Sequence, residues 1–443
     1  MKKLFALLMA LTMTVQLVTP AWADAVEDGP EESTETVEVV QETTEATEET
    51  EVPEETEAET EETEATEEVT EEVTEETVEE TAETEPTEET EEALPEAGVV
   101  EDVAALEAGV VTSGTCGENL SWILTEDGVL RISGNGAMPG YSTSSVAPWY
   151  SKRTKITSVV VEPGVTNVGD YAFYACLKLA EVELAEDITD IGQGTFQDCT
   201  KLKAVEIPEG VKNIQSGAFY NCTGLESVTL PDGLKSIGNY NDGVFQNCTS
   251  LKSIVIPDSV TSIGNSAFRG CSSLTNVHIG EGVTSIKYYT FSGFGSLVSV
   301  NIPESVTSIE SGAFEFCHSL QSLSIPDSVG SIGGSAFYGC SSLTSVNIPD
   351  GVTRIENDTF HDCSSLESVV IPESVTSIGS SAFSGCSSLT SVSIPEGVTS
   401  IGSSAFSGCS GLTSVSIGEG VLSIGAAAFF GCSSLTSITI PEG

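Results

Sequence analysis

The sequence predicts a repeat solenoid, in which coils of 23 residues stack through a parallel β-sheet with short strands or 3₁₀ turns opposite. A small β module and an acidic low-complexity segment precede the solenoid. Phenylalanine recurs at a fixed interval from residue 173 to residue 429, and a cysteine follows it by three residues in all coils but one. Most intervals also contain Leu-x-x-Val-x-Ile. A strict period of this length indicates a fold built from stacked repeats.

Residues 1–23 have the features of a secretory signal peptide. Lys2 and Lys3 precede the apolar run LFALLMALTMTVQLV, and Ala21-Trp22-Ala23 supplies small residues around a cleavage position. The run is shorter than the roughly 20 residues that a membrane span needs, and no other stretch approaches that length. We therefore expect an exported chain, secreted or associated with the cell surface, without membrane insertion.

Residues 24–110 are rich in Glu and Thr. Between residues 24 and 107 there are 37 acidic residues and no Lys or Arg, whereas residues 108–443 contain the other 31 of the 68 acidic residues and 13 basic ones. Dense like charge with few large apolar side chains cannot offset the entropy of ordering. We expect a disordered spacer, with weak Ca²⁺ binding by its carboxylates, or sugar attachment to its threonines, as alternatives. The acidity argues against nucleic-acid partners, because phosphate contacts need clustered cations.

Residues 111–155 predict a small capping module. The segments NLSWILT and VLRIS alternate in polarity and flank Glu126-Asp127-Gly128, which is typical of a β-hairpin. Trp122, Trp149 and Tyr150 are large enough to cover the open end of the solenoid that follows.

Residues 156–443 contain about 12 repeats. The repeated phenylalanines are Phe173, Phe196, Phe219, Phe245, Phe268, Phe291, Phe314, Phe337, Phe360, Phe383, Phe406 and Phe429. All intervals are 23 residues except one of 26, where extra residues around GNYNDG lengthen a loop. Phe294 replaces the cysteine in one coil.

The coil beginning at LTSVSI shows how one repeat folds. In a strand, Val392 and Ile394 point to one side, whereas Ser391 and Ser393 point outward. Pro395 ends the strand. The segment GSSAFSGC then predicts one short helical or 3₁₀ turn. The remaining inward side chains are those of Val398, Ile401, Ala405, Phe406 and Cys409. A lone coil buries too little surface to offset its ordering, so stability requires stacking.

This unit, IP-E/D-x-VTSIG-x-x-AF-x-x-C-x-x-L-x-x-V-x-I, resembles the BspA-like bacterial leucine-rich repeats of surface and secreted proteins. The resemblance covers residues 156–443, and the segment SGTCGENLSW is similar to the module that often precedes such repeats. It implies a non-catalytic role in adhesion through the concave face of the long sheet. Because the sequence stops at Pro441-Glu442-Gly443, partway through a coil, we expect the solenoid to need a polar capping segment after it.

The recurring cysteine has three interpretations: a core thiol, a disulfide and a zinc ligand. The repeats contain eleven cysteines, an odd number, and stacked side chains run parallel instead of converging. The three histidines occupy different phases of the repeat, so they form no zinc site with the cysteines. Phe294 favours the core thiol, because a position that accepts phenylalanine is apolar.

An acidic residue follows the strand in most coils. Stacked carboxylates repel one another, and one per coil is sparse for Ca²⁺, which prefers six to eight oxygens. We favour a solubilising edge over a metal site. These residues are Glu209, Asp232, Asp258, Glu281, Glu304, Asp327, Asp350, Glu373, Glu396, Glu419 and Glu442.

The outward positions of the long sheet are the candidate binding face. The late coils offer mainly Ser and Thr, whereas the early and middle coils vary, so a ligand that contacts this sheet is expected there. The candidate residues are Glu181, Glu183, Glu206, Thr229, Val255, His278, Asn301, Asn347 and Val370. An inert ladder coated with Ser and Thr is the alternative.

The sequence contains no H-E-x-x-H, no G-x-S-x-G and no phosphate-binding loop. It also contains no recognised motif in which a histidine serves as the base for a nucleophilic cysteine. We therefore expect neither catalysis nor a cofactor. The leading hypothesis is a binding protein for host or bacterial surface proteins or glycans, and the alternative is an extracellular structural spacer without a specific ligand.

Overall fold

A computed structural model describes residues 109–239 and 243–440. They form a β-solenoid of about 11 turns of roughly 23 residues, as the sequence predicts. The predicted signal peptide and nearly all of the predicted acidic spacer lie outside the described residues. Within the described part, no helix has the length and hydropathy of a membrane span.

The chain enters the solenoid through an antiparallel meander. Strands β2 (Leu120–Thr125) and β3 (Val129–Gly134) pair around the turn at Glu126-Asp127-Gly128. A further strand, β1 (Val110–Thr115), pairs antiparallel with β2 and is not anticipated by the sequence patterns. Since β3 is also parallel to the first solenoid strand, the meander extends the solenoid sheet at its N-terminal end. The module continues with β4 (Gly136–Ala137) and a 3₁₀ helix, η1 (Tyr150–Lys152).

Two strands per turn build two parallel sheets. The wide sheet consists of β5 (Ser158–Val161), β7 (Glu181–Leu184), β9 (Ala204–Glu206), β11 (Ser227–Thr229), β13 (Ser253–Val255), β15 (Asn276–His278), β17 (Ser299–Asn301), β19 (Ser322–Ser324), β21 (Ser345–Asn347), β23 (Ser368–Val370), β25 (Ser391–Ile394) and β27 (Ser414–Ile417). The narrow sheet continues from β4 through β6 (Val165–Val168), β8 (Asp190–Ile191), β10 (Asn213–Ile214), β12 (Ser236–Ile237), β14 (Ser262–Ile263), β16 (Ser285–Ile286), β18 (Ser308–Ile309), β20 (Ser331–Ile332), β22 (Arg354–Ile355), β24 (Ser377–Ile378), β26 (Ser400–Ile401) and β28 (Ser423–Ile424).

Strand pairing is interrupted at several turns. Hydrogen-bonded groups in the wide sheet are β1-β2-β3-β5-β7, β9-β11, β13-β15, β17-β19-β21-β23 and β25-β27. In the narrow sheet they are β4-β6-β8-β10-β12-β14, β16-β18-β20 and β22-β24-β26-β28. Within each group the register repeats by one coil, so equivalent side chains stack in rows.

The repeated phenylalanines form one continuous column of rings in the core. Consecutive centroids are 5.2–5.8 Å apart, and the rings are close to parallel. Trp149 lies 5.8 Å from Phe173 and continues the column at its N-terminal end. Trp122 is buried against Trp149, whereas Tyr150 lies outside the core and stacks on Tyr174.

The segment between each narrow-sheet strand and the next cysteine is a hydrogen-bonded turn, here named the turn edge. Phe406 N donates to Ala428 O and Gly408 N to Phe430 O in the following coil. Cys409 N donates to Phe406 O, a 3₁₀-type bond, but the segment does not extend into a helix. Two residues per turn have positive φ, for example Ser404 at 55°. The predicted single turn is therefore present as paired tight turns that also bond between coils.

The repeated thiols are core groups. All twelve cysteines of the chain are buried and free. From Cys199 onward, each repeat cysteine donates its thiol to the carbonyl oxygen of the phenylalanine 26 or 29 residues earlier, at 3.1–3.3 Å. Phe294, in the cysteine position, is fully buried and packs edge-on against Phe291.

Candidate functional site

Two rows of outward side chains run along the wide sheet because successive strand residues alternate in direction. One row is almost entirely serine, from Ser227 to Ser414, and is named the serine row. The other, named the variable row, contains Glu183, Glu206, Thr229, Val255, His278, Asn301, Ser324, Asn347, Val370, Ser393 and Ser416.

All nine predicted site residues are exposed on this face. Glu181 belongs to the serine row, and the other eight belong to the variable row. Val255 lies beside His278 on the next strand, and Asn347 lies beside Val370. The two valines are 62% and 75% exposed, which is unusual for apolar side chains on a strand. The structure therefore places the nine residues along one exposed sheet face, with neighbouring pairs at Val255–His278 and Asn347–Val370.

Asn347 differs from the other candidates because its amide is already bonded. Its Oδ1 accepts from Ile325 N at 3.1 Å, and its Nδ2 donates to Ile325 O at 2.8 Å. These two bonds replace the regular pairing of Ser324 with residue 347, which the ladder omits. In contrast, His278 and Asn301 make no side-chain hydrogen bond or ion pair within the described residues, so their polar atoms are available to a ligand.

A third row, named the flank row, lies one residue before the serine row and contains an ion-pair bridge. Glu226 Oε1 is 3.1 Å from Lys203 Nζ, and Glu226 Oε2 is 2.6 Å from Lys252 Nζ. Hydrogen bonds from Lys252 and Lys203 lower the pKa of Glu226. The bridge crosses three turns and was missed by the sequence reasoning. The repeat pattern could have revealed it. With the three extra residues after Gly238 taken into account, residue 252 occupies the same repeat position as residue 226.

Threonines in the flank row also bond between turns. Thr275 Oγ1 donates to Lys252 O, Thr344 Oγ1 to Gln321 O and Thr413 Oγ1 to Thr390 O, at 3.0–3.2 Å. These hydroxyls stabilise the stack, and their protons are already used in hydrogen bonds to the backbone. Of the three rows, the variable row therefore offers a ligand the widest range of side chains.

The acidic residues that follow the strands each belong to a different turn, and Glu442 lies outside the described residues. Within the described residues, no group of three or more His, Cys, Asp or Glu side chains is arranged to hold a metal ion. One carboxylate, that of Asp258, accepts a hydrogen bond from Glu281 N at 3.0 Å, which ties it to the next turn.

The buried thiols are weakly nucleophilic in the folded state. Burial raises the pKa of Cys176, Cys363 and Cys409 to about 12. A thiol with such a pKa is almost fully protonated near neutral pH, and the thiolate is the nucleophile. These cysteines are thus suited to packing and not to nucleophilic chemistry.

Comparisons with known proteins agree with this architecture. The family described as "BspA type Leucine rich repeat region (6 copies)" matches residues 148–241, 241–367 and 354–443. A search of curated proteins finds no match.

Two solved structures are similar to this chain. A leucine-rich repeat protein from Bacteroides ovatus is 30% identical, with 72% of this chain and 92% of that chain covered and a TM-score of 0.57. One from Eubacterium ventriosum is 27% identical, with coverages of 75% and 98% and a TM-score of 0.50. Stacked 23-residue turns, a core of recurring Phe and Cys and these matches lead to one conclusion: the chain belongs to the family of proteins with BspA-type leucine-rich repeats.

Proposed function

We propose that this chain is a non-catalytic binding protein, secreted or held at the cell surface, that contacts proteins or glycans through the variable row. One observation carries the proposal. The inward side chains repeat almost unchanged from coil to coil, whereas the outward ones change from Glu206 through Val255, His278 and Asn301 to Ser393. Stacking requires the former, whereas among the latter only Asn347 has a side chain bonded to a neighbouring turn in the described residues.

The location rests on the N-terminal sequence. Residues 1–23 have the three parts of a secretory signal peptide, and residues 24–110 have the composition of an acidic spacer. An exported solenoid that follows such a spacer would bind its ligand outside the cell.

The test measures binding of the mature chain to immobilised host matrix proteins, mucin and whole bacterial cells. The variant His278→Ser with Asn301→Ser gives both positions a residue found elsewhere in the row, so the fold is expected to persist. We expect saturable binding to at least one target and a loss of about tenfold or more in affinity, or about 1.4 kcal/mol, in this variant. The matched control, Ser393→Ala with Ser416→Ala, alters the same row in the uniform turns and should bind like the parent chain.

A structural spacer is the second candidate. It is favoured by the near identity of residues 374–396 and 397–419, whose outward side chains are small and polar. Aromatic side chains, which dominate most binding hot spots, do not occur in this row between Glu183 and Ser416. Absence of saturable binding across the whole panel would favour this alternative.

A further inference from the structure

A second surface, on the turn edge, contains a cluster of aromatic rings that the wide-sheet hypothesis does not involve. The centroids of Phe316 and Tyr338 are 5.2 Å apart, and those of Tyr338 and His361 are 4.8 Å apart. His318 lies 5.7 Å from Phe316. These four residues, named the aromatic strip, come from three consecutive turns and include two of the three histidines of the chain.

Phe316 occupies a backbone position that favours glycine. Its φ is 59°, and the equivalent position holds glycine with positive φ at Gly293, Gly339, Gly385 and Gly408. A side chain with a Cβ is disfavoured there, and a bulky one especially so. The Phe316 ring is nevertheless 41% exposed, so core packing does not account for it. Ala, Asn or Asp holds this position with positive φ in five other turns, so Phe316 is distinguished by its bulk and not by its φ alone.

The strip has an exposed ring at one end and a carboxylate two turns further along the same edge. Phe316, Gly339 and Asp362 occupy the same position in successive turns, so Phe316 and Asp362 are about 10 Å apart, two strand spacings. Gly339 has no side chain, and a Cβ there would lie 2.8 Å from Phe316 Cδ1. The Phe316 ring therefore lies over Gly339, which is buried, and extends toward the turn that contains Asp362.

Hydrogen bonds fix the two histidines and the backbone beside the strip. His318 Nδ1 donates to Gly339 O at 2.9 Å, and Gly339 N donates to His361 O at 2.8 Å. His361 Nδ1 donates to Asp358 Oδ1 at 3.0 Å, and His361 Nε2 is 3.7 Å from Asp362 Oδ1. The Asp362 side chain is 58% exposed, and beside this contact with His361 it makes no side-chain hydrogen bond in the described residues.

Elsewhere in the described residues, the chain supplies arginines to aromatic rings near the same edge. The guanidinium of Arg153 lies 4.0 Å from the ring centroid of Tyr150, and that of Arg269 lies 5.1 Å from Tyr289. The aromatic strip has no such cover. Arg354 is the one basic residue after Lys287, and its Nε is 3.3 Å from Glu356 Oε1.

The chemistry of this surface favours a cation over a neutral ligand. Aromatic faces carry negative electrostatic potential and attract guanidinium groups. Asp358 and Asp362 add negative charge, and a planar guanidinium can stack on a ring while it donates to a carboxylate. We propose that the aromatic strip and Asp362 bind an arginine side chain of a cationic protein segment. This site lies on a different surface from the variable row and does not depend on the function proposed for that row.

The test uses the mature full-length chain and a fluorescein-labelled tetra-arginine amide, with affinity measured by anisotropy in about 0.15 M NaCl, which screens diffuse attraction to the acidic chain. The variant Phe316→Gly restores the residue of the neighbouring turns and suits the positive φ, so the fold is expected to be retained. We expect it to bind the peptide at least about threefold more weakly, the lower range of a cation–π contact. Asp362→Gly, also a residue of neighbouring turns, should weaken binding similarly, and tetra-lysine should bind less tightly than tetra-arginine.

The matched control is Phe430→Ser. Phe430 is a 72% exposed ring on the same edge, and serine holds its position in the two preceding turns, at Ser384 and Ser407. This variant should bind tetra-arginine like the parent chain, as should the His278→Ser, Asn301→Ser variant. Equal affinity of the parent chain and Phe316→Gly, or no binding by the parent at about 1 mM peptide, would overturn the proposal. Loss of neutral oligosaccharide binding in Phe316→Gly, with tetra-arginine binding unchanged, would also overturn it in favour of a sugar platform.

Discussion

The thiol of Cys386 donates a hydrogen bond to the carbonyl oxygen of Phe360, 3.2 Å away in the preceding turn. That carbonyl also accepts from Cys363 N within its own turn. The thiol therefore joins two turns at the centre of the core, beside the stacked rings. A cysteine at this position provides apolar volume and a weak donor together.

Replacement of this thiol tests its role in the core. Cys386→Ala removes buried sulfur and its S–H···O bond, and we expect the free energy of unfolding to fall by about 1–2 kcal/mol. Urea unfolding followed by circular dichroism measures the change. Cys116→Ala is the matched control, because Cys116 is buried but its thiol makes no hydrogen bond within the described residues. Equal losses in the two variants would indicate that the inter-turn bond contributes nothing.

Alkaline pH should destabilise the solenoid. Burial raises the pKa of Cys363 and Cys409 to about 12, whereas an unfolded thiol titrates near pH 8.5. Between about pH 9 and pH 12 the unfolded chain has therefore released protons that the folded chain still holds, and the free energy of unfolding falls as pH rises. We expect an unchanged urea midpoint from about pH 6 to pH 8 and a steep decrease above about pH 9. The double variant Cys363→Ala, Cys409→Ala should show a shallower decrease, and an identical slope would contradict this explanation.

Asn347 and Asn301 occupy the same row, but only the first is bonded through its amide. Asn347→Asp keeps the shape of the side chain and the acceptor for Ile325 N, yet it places a carboxylate oxygen against Ile325 O, where the amide donated. We expect a loss of about 1–3 kcal/mol in unfolding free energy. Asn301→Asp adds the same charge without breaking a bond and serves as the control. A similar loss at both positions would assign the effect to charge alone.

The bridge from Lys203 through Glu226 to Lys252 should contribute to stability only in low salt. Both lysines and the carboxylate are exposed at the surface, where such pairs are weak and screened. Glu226→Gln is expected to lower the urea midpoint in about 0.01 M salt and to leave it unchanged in about 1 M salt. Glu367→Gln, in the same row and without an ion pair in the described residues, should have no effect in either condition. A loss that persists in high salt would point to packing of Glu226 instead of charge.

The fold could be predicted largely from the sequence because the same inward residue types recur in each coil. The interval of Phe and Cys identified the core column, and a single exception at Phe294 was enough to favour packing over a disulfide. The hairpin was predictable because its polarity alternates around a Glu-Asp-Gly turn. Strand β1 was not, because Val110–Thr115 has no such alternation and gains its place by pairing with β2.

The candidate site was predictable only in outline. Strand alternation placed all nine residues on the exposed face, but it could not distinguish Asn347, which bonds to the neighbouring backbone, from Asn301. That difference depends on a rotamer, which the repeat pattern does not encode. The aromatic strip was missed because Phe316 and Tyr338 take different repeat positions, and their contact arises only when successive turn edges stack.

The columns also remain in register where the interval changes. Phe219 and Phe245 are 26 residues apart in sequence, yet their rings stack at 5.2 Å with an interplanar angle of 8°. Core alignment is therefore independent of the length of the corner between Gly238 and Val244. This corner is a natural grafting position, at which a foreign peptide can be displayed while the turns on either side keep their packing.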